Sequence, residues 1–310
     1  MPTSSARVGD ENDPLTSTGT GLMKRSQETQ DSSAETHPAL IGSLTPPNPA
    51  NELFNFSPGP TSLPKEVEDE IADSFQRPGL TSLALSHRSP EFQQILDHAV
   101  TSARRVMSIP DDYEVLFTHG GGHGQFAAVP LNLCPDKSAV ATYVVNGTWS
   151  ERARDEANQH GYCTVQTIDG TDSNGEYTMF PELTEANIDP RSQYVYLCSN
   201  ETVNGIELYR LPKLPASRRH IPLVVDASSD FTTKPVDWHG SNIGVLFACA
   251  SKNIGHPGVT LTIVRQDLLG KPATICPGVF NYTVNAEAGN LWNTTPTFNI
   301  EVVGRVMNWI

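Results

Sequence analysis

The first 50 residues contain no phenylalanine, tryptophan or tryptophan-like bulk: Phe, Trp and Tyr are all absent there, and Ser, Thr and Pro dominate. Such a stretch cannot bury enough apolar surface to offset the entropy of ordering it, so residues 1–50 read as a disordered tail. No apolar segment follows the start, which argues against a secretory signal. Asp10, Glu11 and Asp13 argue against an amphipathic transit helix. Long apolar runs are also missing: none approaches the roughly 18–20 residues of a membrane span. Basic residues are scarce, 21 Lys and Arg against 35 Asp and Glu, for a net charge of −14. A surface of that sign repels phosphate backbones, so nucleic acid is not an expected partner. A small phosphorylated ligand in a local pocket is still compatible. The five cysteines (134, 163, 198, 249, 276) form no CxxC pair and no metal-like spacing. A reduced, cytoplasmic setting fits them, with organellar targeting by residues 1–50 as the alternative.

From residue 51 to 310 the chain reads as globular. Ser89-Pro90-Glu91 has the chemistry of a helix start: a capping hydroxyl, a proline in the first turn and an acid at the positive end. Phe92, Ile95, Leu96, Ala99, Ala103, Val106 and Met107 follow at helical spacing, and Pro110 ends the helix. Residues 113–118 read as a strand that runs into three glycines. Further strands are expected at 139–145, 162–168, 194–198, 223–225, 245–250 and 260–264, and a helix at 149–160 with Gly161 as its C-cap. Strands apolar on both faces, alternating with helical segments, imply an α/β fold with a mostly parallel central sheet flanked by helices.

Three segments carry candidate chemistry. In His119-Gly120-Gly121-Gly122-His123-Gly124-Gln125, glycines let backbone approach a ligand, and the helix that follows presents free N–H groups suited to phosphate. A plain tight turn is the competing reading. His119 and His123 have no matching third ligand, so no metal site is expected. Asp226 ends the apolar strand Leu223-Val224-Val225, where open α/β sheets place ligand contacts, although a turn cap would look the same. Lys252 follows the apolar strand 245–250. A lysine next to a core needs a partner or a task, and its amine suits Schiff-base chemistry. A snorkelling lysine is the bland alternative. The order is more telling than any one segment: glycine-rich turn, aromatic (Trp149), strand-end Asp, then strand-end Lys 26 residues on. That is the layout pyridoxal-phosphate chemistry requires. The turn holds the phosphate, the aromatic stacks on the ring, the Asp keeps the ring nitrogen protonated and the Lys bonds the aldehyde.

The sequence resembles the phosphoserine aminotransferases, class V aminotransferases of the pyridoxal-phosphate fold type I group. The resemblance runs through Phe54-Asn55-Phe56-Ser57-Pro58-Gly59-Pro60, Ser86-His87-Arg88, residues 119–132, Asn200-Glu201-Thr202, Ser251-Lys252-Asn253-Ile254-Gly255, residues 265–270 and Asn293-Thr294-Thr295-Pro296-Thr297-Phe298. It implies a large cofactor-binding domain over 51–310 that includes the first segment of a small domain. It implies amino transfer between glutamate and 3-phosphohydroxypyruvate in serine biosynthesis. By the same resemblance, Lys252 and Asp226 are catalytic. Gly122, His123, Trp149, Thr202, Ser251, Asn293 and Thr294 bind the cofactor, and His87 and Arg88 bind substrate. Asn293 and Thr294 are expected to reach the phosphate of a neighbouring subunit, so a homodimer is implied. Three positions depart from the family's usual residues: His123 for Arg, Ser251 for Gln, and Pro58, which has no N–H to donate. The family also continues beyond the Thr297-Phe298 region into most of a small C-terminal domain. That difference leaves as alternatives a truncated, non-catalytic or regulatory subunit, and beside them another class V aminotransferase.

Overall fold

A computed structural model describes residues 57–310 apart from Pro78. The tail read at residues 1–50 and the Phe54-Asn55-Phe56 part of the first motif lie outside the described residues. Helices are α1 (Lys65–Gln76), α2 (Pro90–Met107), α3 (Gly121–Leu133), α4 (Thr148–His160), α5 (Tyr282–Glu287) and α6 (Thr297–Trp309). Strands are β1 (Tyr113–Thr118), β2 (Val140–Val145), β3 (Thr164–Asp169), β4 (Ser192–Cys198), β5 (Asn200–Glu201), β6 (Ile206–Glu207), β7 (Leu223–Asp226), β8 (Ile243–Cys249) and β9 (Thr260–Arg265).

Seven strands form the main sheet in the order β1-β9-β8-β7-β4-β2-β3. The pairs β2/β3, β2/β4, β4/β7 and β7/β8 are parallel. β9 runs antiparallel to both of its neighbours, β1 and β8. The strands alternate their apolar side chains between two faces. Val195, Leu197, Val225, Leu246 and Ile263 pack on one side with Phe92, Leu96, Ala99 and Met107 of α2 and Ile300, Val303 and Met307 of α6. Tyr143, Tyr196, Val224, Phe247 and Val264 pack on the other with Phe126 and Val129 of α3 and Ala153 and Ala157 of α4. The result is a sheet between two helical layers, the arrangement that covers both faces of a mostly parallel sheet.

The local signals operate as read. The Ser89 hydroxyl accepts from the Phe92 N–H at 3.2 Å, and α2 ends on Ser108 in the left-handed region. Gly161 closes α4 in the left-handed region, its N–H bonded back to the last turn. Strand and helix alternate only as far as β3, however. Among the described residues no α-helix lies between β3 and β8; turns and one short 3-10 segment, Ala216–Arg218, make those connections. Proline explains the difference. Pro181, Pro190, Pro212, Pro215, Pro222 and Pro235 punctuate them, and each removes an N–H and clashes with a preceding carbonyl in a helix interior. The hairpin β5–β6 is too short to leave an alternating pattern.

Helices α2 and α6 cross where both are small. A Cβ on Gly304 would lie 3.2 Å from both Cα and Cβ of Ala99, and 3.3 Å from Nδ1 of His98. Gly304→Val should overpack this crossing and lower the unfolding free energy by about 1–3 kcal/mol, read as a reduced urea midpoint with an unchanged slope. A wild-type midpoint would mean that the two helices do not meet there.

Candidate active site

Parallel strands end together. The carboxyl ends of β2, β4, β7 and β8 lie along one edge of the sheet, and the segments leaving them converge on a cavity of about 190 Å³. Gly122, His123, Trp149, Thr202, Asp226, Ser251 and Lys252 all line it. They come from five separate segments of the chain. The edge is where open α/β sheets bind ligands.

The glycine turn sits between β1 and α3. Gly120, at φ 88°, is the N-cap of α3 and belongs to the left-handed region. A Cβ there would meet Gly124 Cα at 2.9 Å, and one on Gly124 would meet the His119 carbonyl oxygen at 2.6 Å. Side chains are thereby excluded at 120 and 124, and Gly122 and His123 in the first turn of α3 line the cavity beside Cys249. The Cys249 thiol receives a hydrogen bond from Ser228 Oγ at 3.3 Å, and burial pushes its pKa up to about 11, so it stays a neutral thiol.

Asp226 closes β7 with its carboxylate buried. The Ser228 N–H donates to Oδ1 at 2.9 Å, whereas Oδ2 has only the Tyr196 hydroxyl at 3.5 Å. A bond that long is weak, which leaves Oδ2 able to accept from a ligand. Burial pushes the Asp226 pKa up to about 6, against the pull of Ser228, and the nearby Glu201 and Asp230 charges add to the rise. A cation placed at Oδ2 would reverse that shift.

Lys252 follows β8, and its Nζ donates to the Pro58 carbonyl at 2.6 Å. The strap 58–61 is tied down over it: Thr61 Oγ1 donates to the Lys252 carbonyl at 2.7 Å, and the Thr61 N–H to the Ser251 carbonyl at 3.2 Å. Gly59 stands at a backbone φ of 149°, which favours glycine, and it passes close enough to Lys252 that a Cβ would lie 3.1 Å from its Cδ and Cε. Pro58 therefore meets the site through its carbonyl, which proline retains.

Trp149 lies in the first turn of α4. Its indole Nε1–H donates to Thr202 Oγ1 at 3.1 Å, and the Arg152 guanidinium sits 5.0 Å from the ring centre. The remaining expected residues lie elsewhere. Asn293 contacts His119 of the same chain, Nδ2 to Nε2 at 3.2 Å, and Thr294 is exposed. Arg88 is exposed, with its Nε directed at His87 Nε2 at 3.2 Å. None of these four lines the cavity.

An amine, a buried carboxylate with an open oxygen, free helix N–H groups and an indole face suit a flat ring that carries a cation and an anion. The aminotransferase class-V family model matches residues 53–310. A phosphoserine aminotransferase of Drosophila melanogaster is 41% identical over 261 residues, covering 83% of this chain and 69% of that one. The chain belongs to the phosphoserine aminotransferase family. The structure of the phosphoserine aminotransferase from Bacillus circulans subsp. alkalophilus superposes with a TM-score of 0.74 at 32% identity, over 83% of this chain and 69% of that chain. That of a pyridoxal-phosphate-bound phosphoserine aminotransferase from Trichomonas vaginalis gives 0.75 at 29%, over 84% and 75%. The chain thus spans about 70% of the length of these relatives. The likeness extends to fold type I, a mostly parallel sheet with helices on both faces.

The reading from sequence gave no role to Tyr196, Ser228, Cys249 or Glu201. Glu201 adjoins Thr202, so its motif was visible, but its partners lie 51 and 52 residues away and leave no local mark.

The raised Asp226 pKa has a consequence for stability. The folded value lies above the ordinary 3.8, so the folded chain holds this proton more tightly than the unfolded chain. At low pH both states are protonated and the group contributes nothing. As pH rises through 6, ionisation costs the fold stability. Asp226→Asn should therefore stabilise the cofactor-free chain at pH 8 by about 1–3 kcal/mol, and by progressively less as pH falls toward 4. Denaturant titrations at a series of pH values test this. A constant difference between the two proteins would mean that Asp226 does not carry the shift.

Proposed function

We propose that this chain is a pyridoxal-phosphate-dependent phosphoserine transaminase. It moves an amino group reversibly between glutamate and 3-phosphohydroxypyruvate, giving O-phosphoserine and 2-oxoglutarate, as a step of L-serine biosynthesis. The observation that carries this reading is the pairing of the Lys252 amine with the buried Asp226 carboxylate in one cavity, beside the open N-terminus of α3. The donor set fits the cofactor. Asp226 Oδ2 lacks a good partner and suits a protonated ring nitrogen. The N–H groups of Gly122 and His123 suit a phosphate at a helix N-terminus, with Ser251 adding a hydroxyl. Trp149 offers an indole face, and Thr202 a hydroxyl beside it.

When bound, pyridoxal phosphate supplies an aldehyde to take up the amino nitrogen and a ring that withdraws electrons from the substrate Cα. The chain does the rest. Lys252 would supply the amine that holds the cofactor, and its Nζ is the group that would carry the substrate Cα proton. Asp226 keeps the ring nitrogen charged, which a neutral side chain there would not do. Trp149, which lines the cavity, would cover one face of the ring and exclude water there. Arg88, with His87 against it, binds the substrate carboxylate through a planar, two-pronged guanidinium.

Arg88, Asn293 and Thr294 lie outside the cavity, which supports a homodimer in which a second copy completes the site. Val203 beside Thr202 and Trp292 beside Asn293 are exposed apolar side chains that a second copy would cover. In this reading residues 51–310 make up the large domain together with the first segment of a small one. The five free cysteines suit a reducing cytoplasm. No helix among the described residues is long and apolar enough to cross a membrane.

With pyridoxal phosphate added, the purified chain should develop the visible absorption of lysine-bound cofactor. Phosphoserine should bleach it at concentrations where serine and alanine do not. Lys252→Ala should lack the band and keep the fold; a band of wild-type intensity would take Lys252 out of this role. Bleaching by alanine as readily as by phosphoserine would place the substrate elsewhere among the class V aminotransferases. Arg88→Lys should raise KM for both amino donors about tenfold or more, since a point charge cannot replace the fork. An unaltered KM would locate the carboxylate site at another residue.

A further inference from the structure

Helix α4 begins without a local cap. Its N-cap residue is Gly147, which has no side chain to offer, yet three successive N–H groups at its start are satisfied. All three bonds come from the β5–β6 hairpin, more than fifty residues further along the chain. The Glu201 carboxylate accepts from the Trp149 N–H at 2.8 Å through Oε2, and from the Ser150 N–H at 2.7 Å through Oε1. Asn204 Oδ1 accepts from the Thr148 N–H at 2.9 Å. Glu201 is fully buried. Gly147 makes room for it: a Cβ there would lie 2.5–2.7 Å from Glu201 Cδ, Cγ and Cβ. Gly147 has an extended φ of 174°, so the requirement for glycine is steric.

The two elements joined in this way both line the cavity. Trp149 is on α4, Asn200 and Thr202 are on the hairpin, and the elements are tied again by the indole Nε1–H to Thr202 Oγ1. We propose that Glu201 is the positioning residue of the cofactor cavity: by capping α4 from the hairpin it fixes the Trp149 ring and the Thr202 hydroxyl relative to Asp226 and Lys252. A buried carboxylate is the right group for the task. An acid at a helix N-terminus is favoured by the helix dipole, and two charge-assisted bonds to one carboxylate define an orientation as well as a distance. The hairpin's other side is held as firmly. The Ser199 N–H and hydroxyl both donate to the Asp226 carbonyl, at 2.9 and 3.0 Å, so the strand end that leads to Glu201 is tied to the residue at the cavity floor. The inference rests on the cofactor reading above.

The test compares wild type with Glu201→Gln, which keeps size and shape but puts an N–H donor where an acceptor is needed. Amide hydrogen exchange on the cofactor-free chain should show the Trp149 and Ser150 N–H groups exchanging at least tenfold faster, with the strand amides of β4 and β7 unchanged. Pyridoxal phosphate should then bind with a Kd raised about tenfold. The visible circular dichroism of the bound cofactor should weaken, because the ring is held less uniquely, while Lys252 still forms the band. Asn204→Ala, which removes only the Thr148 cap, should move the same signals the same way to a smaller extent, and it decides the matter if Glu201→Gln does not fold. Wild-type Kd and dichroism in a variant with faster exchange at Trp149 and Ser150 would overturn the proposal, as would unchanged exchange. A wild-type chain that takes up no pyridoxal phosphate would overturn the cofactor reading, and this proposal with it. A wild-type band with an indifferent Glu201→Gln overturns this proposal alone.

Discussion

Parallel pairing of β2, β4, β7 and β8 is the constraint on which the rest depends. Parallel strands must finish at the same edge of a sheet, whatever lies between them in sequence. Trp149, Asn200 and Ser251 each follow one of these strands by a few residues and Asp226 ends the fourth, so pairing alone brings them into one place. The antiparallel strand β9 does different work. It places β1, and with it the glycine turn, at the same edge from the far side of the sheet.

The charges at that edge set stability against readiness for a ligand. Asp226 is buried with one oxygen poorly satisfied, and without a cation nearby its ionised form costs the fold energy. A structure selected for stability alone would place an amide or an apolar side chain there. The glycines show the same priority. Gly59, Gly120 and Gly124 hold backbone conformations or contacts that no larger residue permits, and each clears space around Lys252 or the helix N-terminus. Glycine costs entropy on folding, and here that cost is accepted where a ligand and a lysine must come close to backbone.

Much of this was legible in the residues. The capping chemistry of Ser89-Pro90 and the C-terminal Gly161 gave two helices their ends, because a cap is a contact within three or four residues. Apolar strands announced the sheet, and the glycine turn, Asp226 and Lys252 stood out because each breaks the pattern of its surroundings. The proline-rich connections after β3 were harder to place, since a strand-to-strand crossover needs only length and the alternation suggested helices that proline forbids. The partners of Glu201 and the acceptor for Lys252 left no mark at all. One contact spans 52 residues and the other 194.

The sequence by itself determined the fold class, the residue types available for chemistry and the order in which they occur. Periodicity, caps and turns are local, and a local pattern is written in adjacent residues. Tertiary structure decided which of those residues meet. It placed seven of the expected residues around one cavity and left Arg88, His87, Asn293 and Thr294 outside it. It also gave Glu201 its place at the start of α4 and Pro58 its carbonyl against Lys252 Nζ. Those outcomes follow from strand pairing and close packing across the whole sheet, and such long-range contacts have no period to be read from a chain.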